Sequence, residues 1–218
     1  MPVIPVAEII PVFRATATCG TMTFVTESRS GAPERPPVSG LIGAIGEHAP
    51  SIHPDAWVAP GAIVVGRVSI GPAASVWYGS VLRADDDDIV VGADCNIQDQ
   101  CCLHVDPGEP AILEDRVTIG HRAVVHGAYV EAGALIGIGA IVLGGCRIGA
   151  GSLVAAGAVV TPGTRVPGGV LVAGVPAKIR RELTDADRQS FAGTPERYVR
   201  RAARHKGATW RQAPASGA

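Results

Sequence analysis

Three of the chain's six histidines, His104, His121 and His126, fall within one short stretch. Neutral imidazole is the commonest metal ligand. Three of them with one position left open make the donor set of a catalytic zinc site, where a bound water becomes reactive near neutral pH. Iron or cobalt suits the same donors. Three surface histidines with no shared role would give the same composition, so the placement of each residue has to decide. The other polar groups with chemical potential cluster around them: Arg83, the run Asp85 to Asp88, Asn96, Gln98 and Asp99.

The elements that must position these residues are set by a repeat. Val130, Ile136, Val142, Ile148, Val154, Val160, Val166 and Val172 recur every six positions. Neither a helix nor an alternating strand has that period. The fourth residue after each aliphatic is small or β-branched, as at Ala134, Ala140, Cys146, Ser152 and Ala158. This is a hexapeptide repeat, in which each hexad is a short strand and a turn and three hexads close a triangular rung. The aliphatic points inward and the small residue lies near a corner. The period begins at Ile52, continues to Leu82, is broken by Asp85 to Asp88, resumes at Val91, and is interrupted again by the loop Asp106 to Pro110. The acidic run reads as a solvated turn. Regular rungs need no interruptions, so the irregular middle is the expected functional face.

The repeat fixes the phase of each histidine. His104 follows inward Leu103 and His126 follows inward Val125. They share one hexad position on rungs about 4.8 Å apart, so both point outward on one face. His121 lies two residues after Ile119 and belongs near another edge. One subunit does not readily bring all three together, and a neighbouring subunit can supply the third.

The remaining composition is restrictive. Net charge is −1 and 18% of residues are charged, which gives no general attraction to nucleic acid or anionic membrane. No apolar run reaches membrane-spanning length, and the start lacks a basic n-region, so a cytoplasmic protein is expected. Aromatics are only 4%, consistent with a narrow prism of Val, Ile and Ala. Cys95, Cys101 and Cys146 take the small position and read as packing residues. Residues 1–47 lack the period and are expected to be a largely disordered extension, with 48–178 as the solenoid and 179–212 as a helical segment. Residues 213–218 are expected to be a disordered tail. Thr184 with Asp187 resembles a capping box, and Thr194-Pro195-Glu196 a second helix start. The basic residues from Arg197 to Lys206 read as a solvated helix face, and His48, His53 and His205 as incidental.

The segments Arg83-Ala84-Asp85, Asn96-Ile97-Gln98-Asp99, Leu103-His104-Val105-Asp106, Gly120-His121 and His126-Gly127 together resemble the gamma-class carbonic anhydrases. The resemblance covers residues ~50–177 and implies an all-β solenoid, a left-handed parallel β-helix, followed by a C-terminal helix. It further implies a homotrimer with zinc at the subunit interfaces. His104 and His126 would ligate from one subunit and His121 from the next. Gln98 would orient the bound water or substrate and Asn96 would support it. Arg83 and Asp85 would order the subunit contact with Asp99 as the arginine's partner, and Asp86 would stand where some members place a proton shuttle. Tyr198 would lie near the site. The implied reaction is reversible hydration of CO2 to bicarbonate by metal-bound hydroxide. A CoA-thioester hydrolase, an acyltransferase or a non-catalytic metal-binding trimer on the same scaffold are the alternatives, and the short loop after His104 bears on catalytic speed.

Overall fold

The aliphatic residues that recur every six positions all turn inward. Val130, Ile136, Val142, Ile148, Val154 and Val160 are completely buried, and Val166 and Val172 nearly so. The computed structural model describes residues 40–210. Residues 1–39 and 211–218, with the expectations placed on them, lie outside the described residues.

The strands stack in parallel register, one rung apart. Ile119 faces Ile136, Ile136 faces Val154 and Val154 faces Val172. An eight-stranded sheet runs from Trp57–Val58 through Ser75–Val76, Asn96–Ile97, Thr118–Ile119, Leu135–Ile136 and Leu153–Val154 to Val170–Gly174 and Ala177–Glu182. A twelve-stranded sheet supplies the other two faces, because the long strands Ile63–Ile70 and Val81–Val91 bend round a corner and pair on both sides of it. The result is a parallel β-solenoid with a single aliphatic core. Each fully buried Val, Leu or Ile contributes about 1.5–3 kcal/mol relative to exposure. Corners of the regular rungs are glycines at positive φ, such as Gly139 at 66°, a conformation that costs other residues a Cβ clash.

Three sequence expectations need correction. The acidic run is not a turn outside the register: Asp85 to Asp88 lie within strand Val81–Val91. Ala84 faces Gly66 and Ile89 faces Val68, so four aspartates stand opposite Arg67 alone, as a bulge at the prism corner. Gly66, at φ 81°, allows it, because a Cβ there would sit 2.1 Å from the Ala84 carbonyl oxygen. The solenoid also begins before residue 48. Strand Leu41–Gly43 pairs with Ile63–Ile70 and covers its otherwise open edge. Finally, residues after 177 are not yet helical. The chain reverses after Gly174, and Ala177–Glu182 pairs antiparallel with Val170–Gly174. No further rung follows there, so the returning strand satisfies the last edge.

Helix α1 (Asp185–Ala192) starts in the expected capping box, with Thr184 and Asp187 bonded reciprocally. Helix α2 (Thr194–Lys206) follows Gly193, with Pro195 in its first turn. Its face Thr194, Pro195, Tyr198 and Ala202 is buried and packs on strands Trp57–Val58, Ser75–Val76 and Asn96–Ile97. Trp57, Trp77, Ala59, Tyr198 and Ala202 form a second apolar cluster there. No described helix is long and apolar enough to cross a membrane.

Candidate metal centre

Leu82, Leu103 and Val125 are fully buried on neighbouring strands. Alternation along a strand therefore turns the next residues, Arg83, His104 and His126, outward in a ladder. Arg83 is in register with His104 and His104 with His126. His104 Nδ1 and His126 Nε2 are 3.0 Å apart. The other nitrogen of His104, Nε2, meets Asp85 Oδ1 at 2.9 Å. His126 Nδ1 is 3.6 Å from Asp106 Oδ2. Arg83 pairs with Asp85, and Asp86 joins Asp85 and His104 in a group whose ligand atoms lie within 4.8 Å of one another. Burial acts to raise the Asp85 carboxyl, but the His104 hydrogen bond, its own backbone and the Arg83 charge outweigh it and hold the group below its ordinary value.

The remaining candidates sit on the eight-stranded sheet. Asn96 is fully buried, and its amide nitrogen donates to Thr118 Oγ1 at 2.9 Å. Gln98 is almost as buried and donates to Asn96 Oδ1 at 3.0 Å. This chain of bonds fixes the Gln98 amide from behind. Asp99 Oδ2 meets His121 Nδ1 at 2.8 Å. His121 opens on a cleft shared with Trp77, Tyr78, Tyr198, Arg201 and His205.

Two half-sites result. One carries Arg83, Asp85, Asp86, His104 and His126; the other carries Asn96, Gln98, Asp99 and His121. Among the described residues, the donor groups close enough to hold one ion are His104 with Asp106 and His126, and Asp85 with Asp86 and His104. His121 is in neither. Asp99 stands beside His121, on a different face from Arg83.

The donor set fits a cation. His104 and His121 each place one ring nitrogen on a carboxylate, the arrangement that orients metal-binding imidazoles, and His126 turns Nδ1 toward Asp106 at 3.6 Å. That leaves His104 Nδ1 and His126 Nε2 facing each other at 3.0 Å. Two imidazoles on one tetrahedral zinc, at bond lengths of about 2.0–2.1 Å, bring their nitrogens to a similar separation. In the chain alone the two nitrogens stand at hydrogen-bond distance, and a cation held between them would replace that contact. His121 keeps Nε2 available in the same way.

Sequence reasoning underweighted two residues. Asp106 figured only as part of a motif, although it closes the His126 side of the group. His205 is not incidental: its Nδ1 lies 2.6 Å from the Tyr78 hydroxyl, and its ring is 5.0 Å from that of Trp77. Its spacing from Tyr78 gave no signal, because only the docking of α2 brings them together. Tyr198 lines the His121 cleft as expected.

Similarity to known proteins agrees with the repeat. Residues 127–162 match the family described as bacterial transferase hexapeptide (six repeats). A Methanocaldococcus jannaschii protein named "Probable carbonic anhydrase" is 48% identical over 143 residues, 66% of this chain and 90% of that protein. "Gamma carbonic anhydrase 2, mitochondrial" of Arabidopsis thaliana is 40% identical over 165 residues, 73% of this chain and 59% of that one. The crystal structure of a hexapeptide transferase family protein from Anaplasma phagocytophilum aligns with TM-score 0.72 at 35% identity, covering 75% of this chain and 96% of that one. With nearly the whole of the archaeal relative matched at this identity, the chain belongs to the gamma-class carbonic anhydrase family of hexapeptide-repeat proteins.

Proposed function

We propose that this chain is a metal-dependent enzyme for the reversible hydration of CO2 to bicarbonate, built as a homotrimer with zinc at each subunit interface. The observation that carries the reading is the division of the site. His104 and His126 converge at 3.0 Å on one face, while His121, oriented by Asp99 at 2.8 Å, stands on another. A threefold arrangement would bring the first half-site of one subunit against the second half-site of the next. His104, His126 and the partner subunit's His121 would then hold the metal.

The chemistry a divalent cation supplies here is Lewis-acid activation of water near neutral pH. The chain's own residues do the rest. Asp85 and Asp99 keep His104 and His121 in the tautomer that presents a lone pair to the site. Arg83 holds Asp85 in place. Gln98, anchored through Asn96 to Thr118, offers a rigid amide in the second half-site to orient water or the bicarbonate oxygens. Trp77 and Tyr198 give the cleft an apolar wall suited to CO2. Asp86, exposed beside His104, adds a carboxylate at the rim of that half-site.

The test is stopped-flow CO2 hydration on protein of measured metal content, beside a His121→Ala variant. Activity with about one metal per subunit, lost in the variant, is the expected result. Full metal occupancy without CO2 hydration would refute the assignment, and acyl-CoA thioesters would be the next substrates to assay.

A further inference from the structure

Helix α2 carries a row of arginines whose charges meet no carboxylate among the described residues. Arg197, Arg200, Arg201 and Arg204 are exposed and line one cleft along a single helix face. Like charges at i, i+3 and i+4 destabilise a helix. None of the four forms an ion pair among the described residues: the only carboxylate in α2, Glu196, pairs with Arg116. Arg197 donates to Thr194 Oγ1 at 2.6 Å, and Arg201 lies over the Tyr198 ring at 5.0 Å. Arg201 also lines the His121 cleft, so this positive face borders the second half-site.

The opposite charge borders the first half-site. Arg83 answers Asp85, and Arg67 answers Asp88 at 3.2 Å. Asp86 has no cationic partner among the described residues. It is exposed, and it belongs to the same close group as Asp85 and His104. Each half-site is therefore flanked by a charge its own subunit leaves unanswered, and the two charges are opposite.

We propose that Arg201, the member of the α2 arginine face that lines the His121 cleft, pairs with Asp86 of the partner subunit when the two half-sites meet. The inference rests on the shared-site reading above. The contact does two things. It sets which face of one subunit accepts which face of the next, since misaligned halves would oppose like charges. It also holds the Arg201 side chain at the edge of the His121 cleft, which α2 already lines. The other arginines add a longer-range field that steers the acidic corner inward and weakens with salt.

The experiment is sedimentation velocity on the full chain over a range of protein concentrations, at low and high salt, for wild type, Arg201→Glu, Asp86→Arg and the two combined. Arg201→Gln and Asp86→Asn serve as milder variants, with far-UV circular dichroism as the check on folding. The expected result is a trimer whose dissociation constant rises at least about tenfold in either reversal and returns close to wild type when both are combined. High salt should weaken wild type more than either neutral variant. A trimer unmoved by either reversal, or a combination no better than the worse single variant, would overturn the contact and leave the shared site standing. A wild-type chain that sediments as a monomer would overturn both.

Discussion

Removing the carboxylate behind each histidine should weaken metal binding in a fixed order: Asp85→Asn most, Asp99→Asn next, Asp106→Asn least. The order follows from geometry. Asp85 and Asp99 stand 2.9 and 2.8 Å from their imidazoles, within the range of charge-assisted hydrogen bonds. Asp106 stands at 3.6 Å from His126, too far for a direct bond. Loss of such a carboxylate typically lowers metal affinity about 10- to 100-fold, or about 1.4–2.7 kcal/mol. Asparagine is nearly the same shape, so the change is one of charge and tautomer rather than packing. Asp99→Asn should fall near the lower figure, because its amide oxygen can still accept from His121. Asp85→Asn should approach the upper one, because it also releases Arg83 from its partner and leaves that charge beside the incoming cation. Asp106→Asn should change affinity less than about threefold, by loss of field alone. Competition with a chromophoric chelator, at fixed pH and known protein concentration, reads all three. An Asp85→Asn variant within about twofold of wild type, or an Asp106→Asn variant weaker than both others, would refute the orienting role of these carboxylates.

Other outcomes follow from the same structure. Co-refolding His104→Ala with His121→Ala subunits should restore metal binding and CO2 hydration that neither has alone, because a mixed trimer rebuilds an intact site at some interfaces; no recovery in verified mixed trimers would count against a shared site. Ile136→Ala empties a fully buried position between Ile119 and Val154 and should cost about 2–5 kcal/mol, measured by denaturant unfolding at fixed protein concentration. Burial pushes the Cys95 and Cys101 thiols up to about 12. The unfolded chain ionises them near 8.5, so their contribution is complete below that pH and is lost as pH rises toward about 12. Thermal melts from neutral to alkaline pH should fall more steeply for wild type than for a Cys95→Ala/Cys101→Ala variant. Exposed Cys102 should be alkylated rapidly in native protein while Cys95 and Cys101 resist.

The solenoid was legible because its period is a one-dimensional property. A residue at every sixth position must face the axis if each rung closes in three hexads, so Val130 to Val172 announce their own burial. The same rule put His104 and His126 in register, one strand apart, and moved His121 to another face. Parallel stacking makes sequence phase and spatial position nearly the same thing. Small corner residues such as Ala134 and Cys146 were legible for the same reason.

Where the period fails, sequence lost its hold. Asp85 to Asp88 read as a turn, yet they continue a strand, because the close approach of Ala84 to Gly66 and the lone Arg67 opposite decide the path. Ala177–Glu182 read as the approach to a helix, yet it pairs antiparallel, because the last rung leaves an edge that only the returning chain can fill. The Tyr78 and His205 contact, the arginine face of α2 beside the His121 cleft, and the hydrogen-bonded backing of Gln98 depend on how one element docks on another. By itself the sequence determined the repeat, the inward residues and the phases of the three histidines, since each follows from spacing along the chain. Tertiary structure alone decided which carboxylate stands behind which imidazole and which charges are left unanswered, since those depend on distances between side chains far apart in sequence.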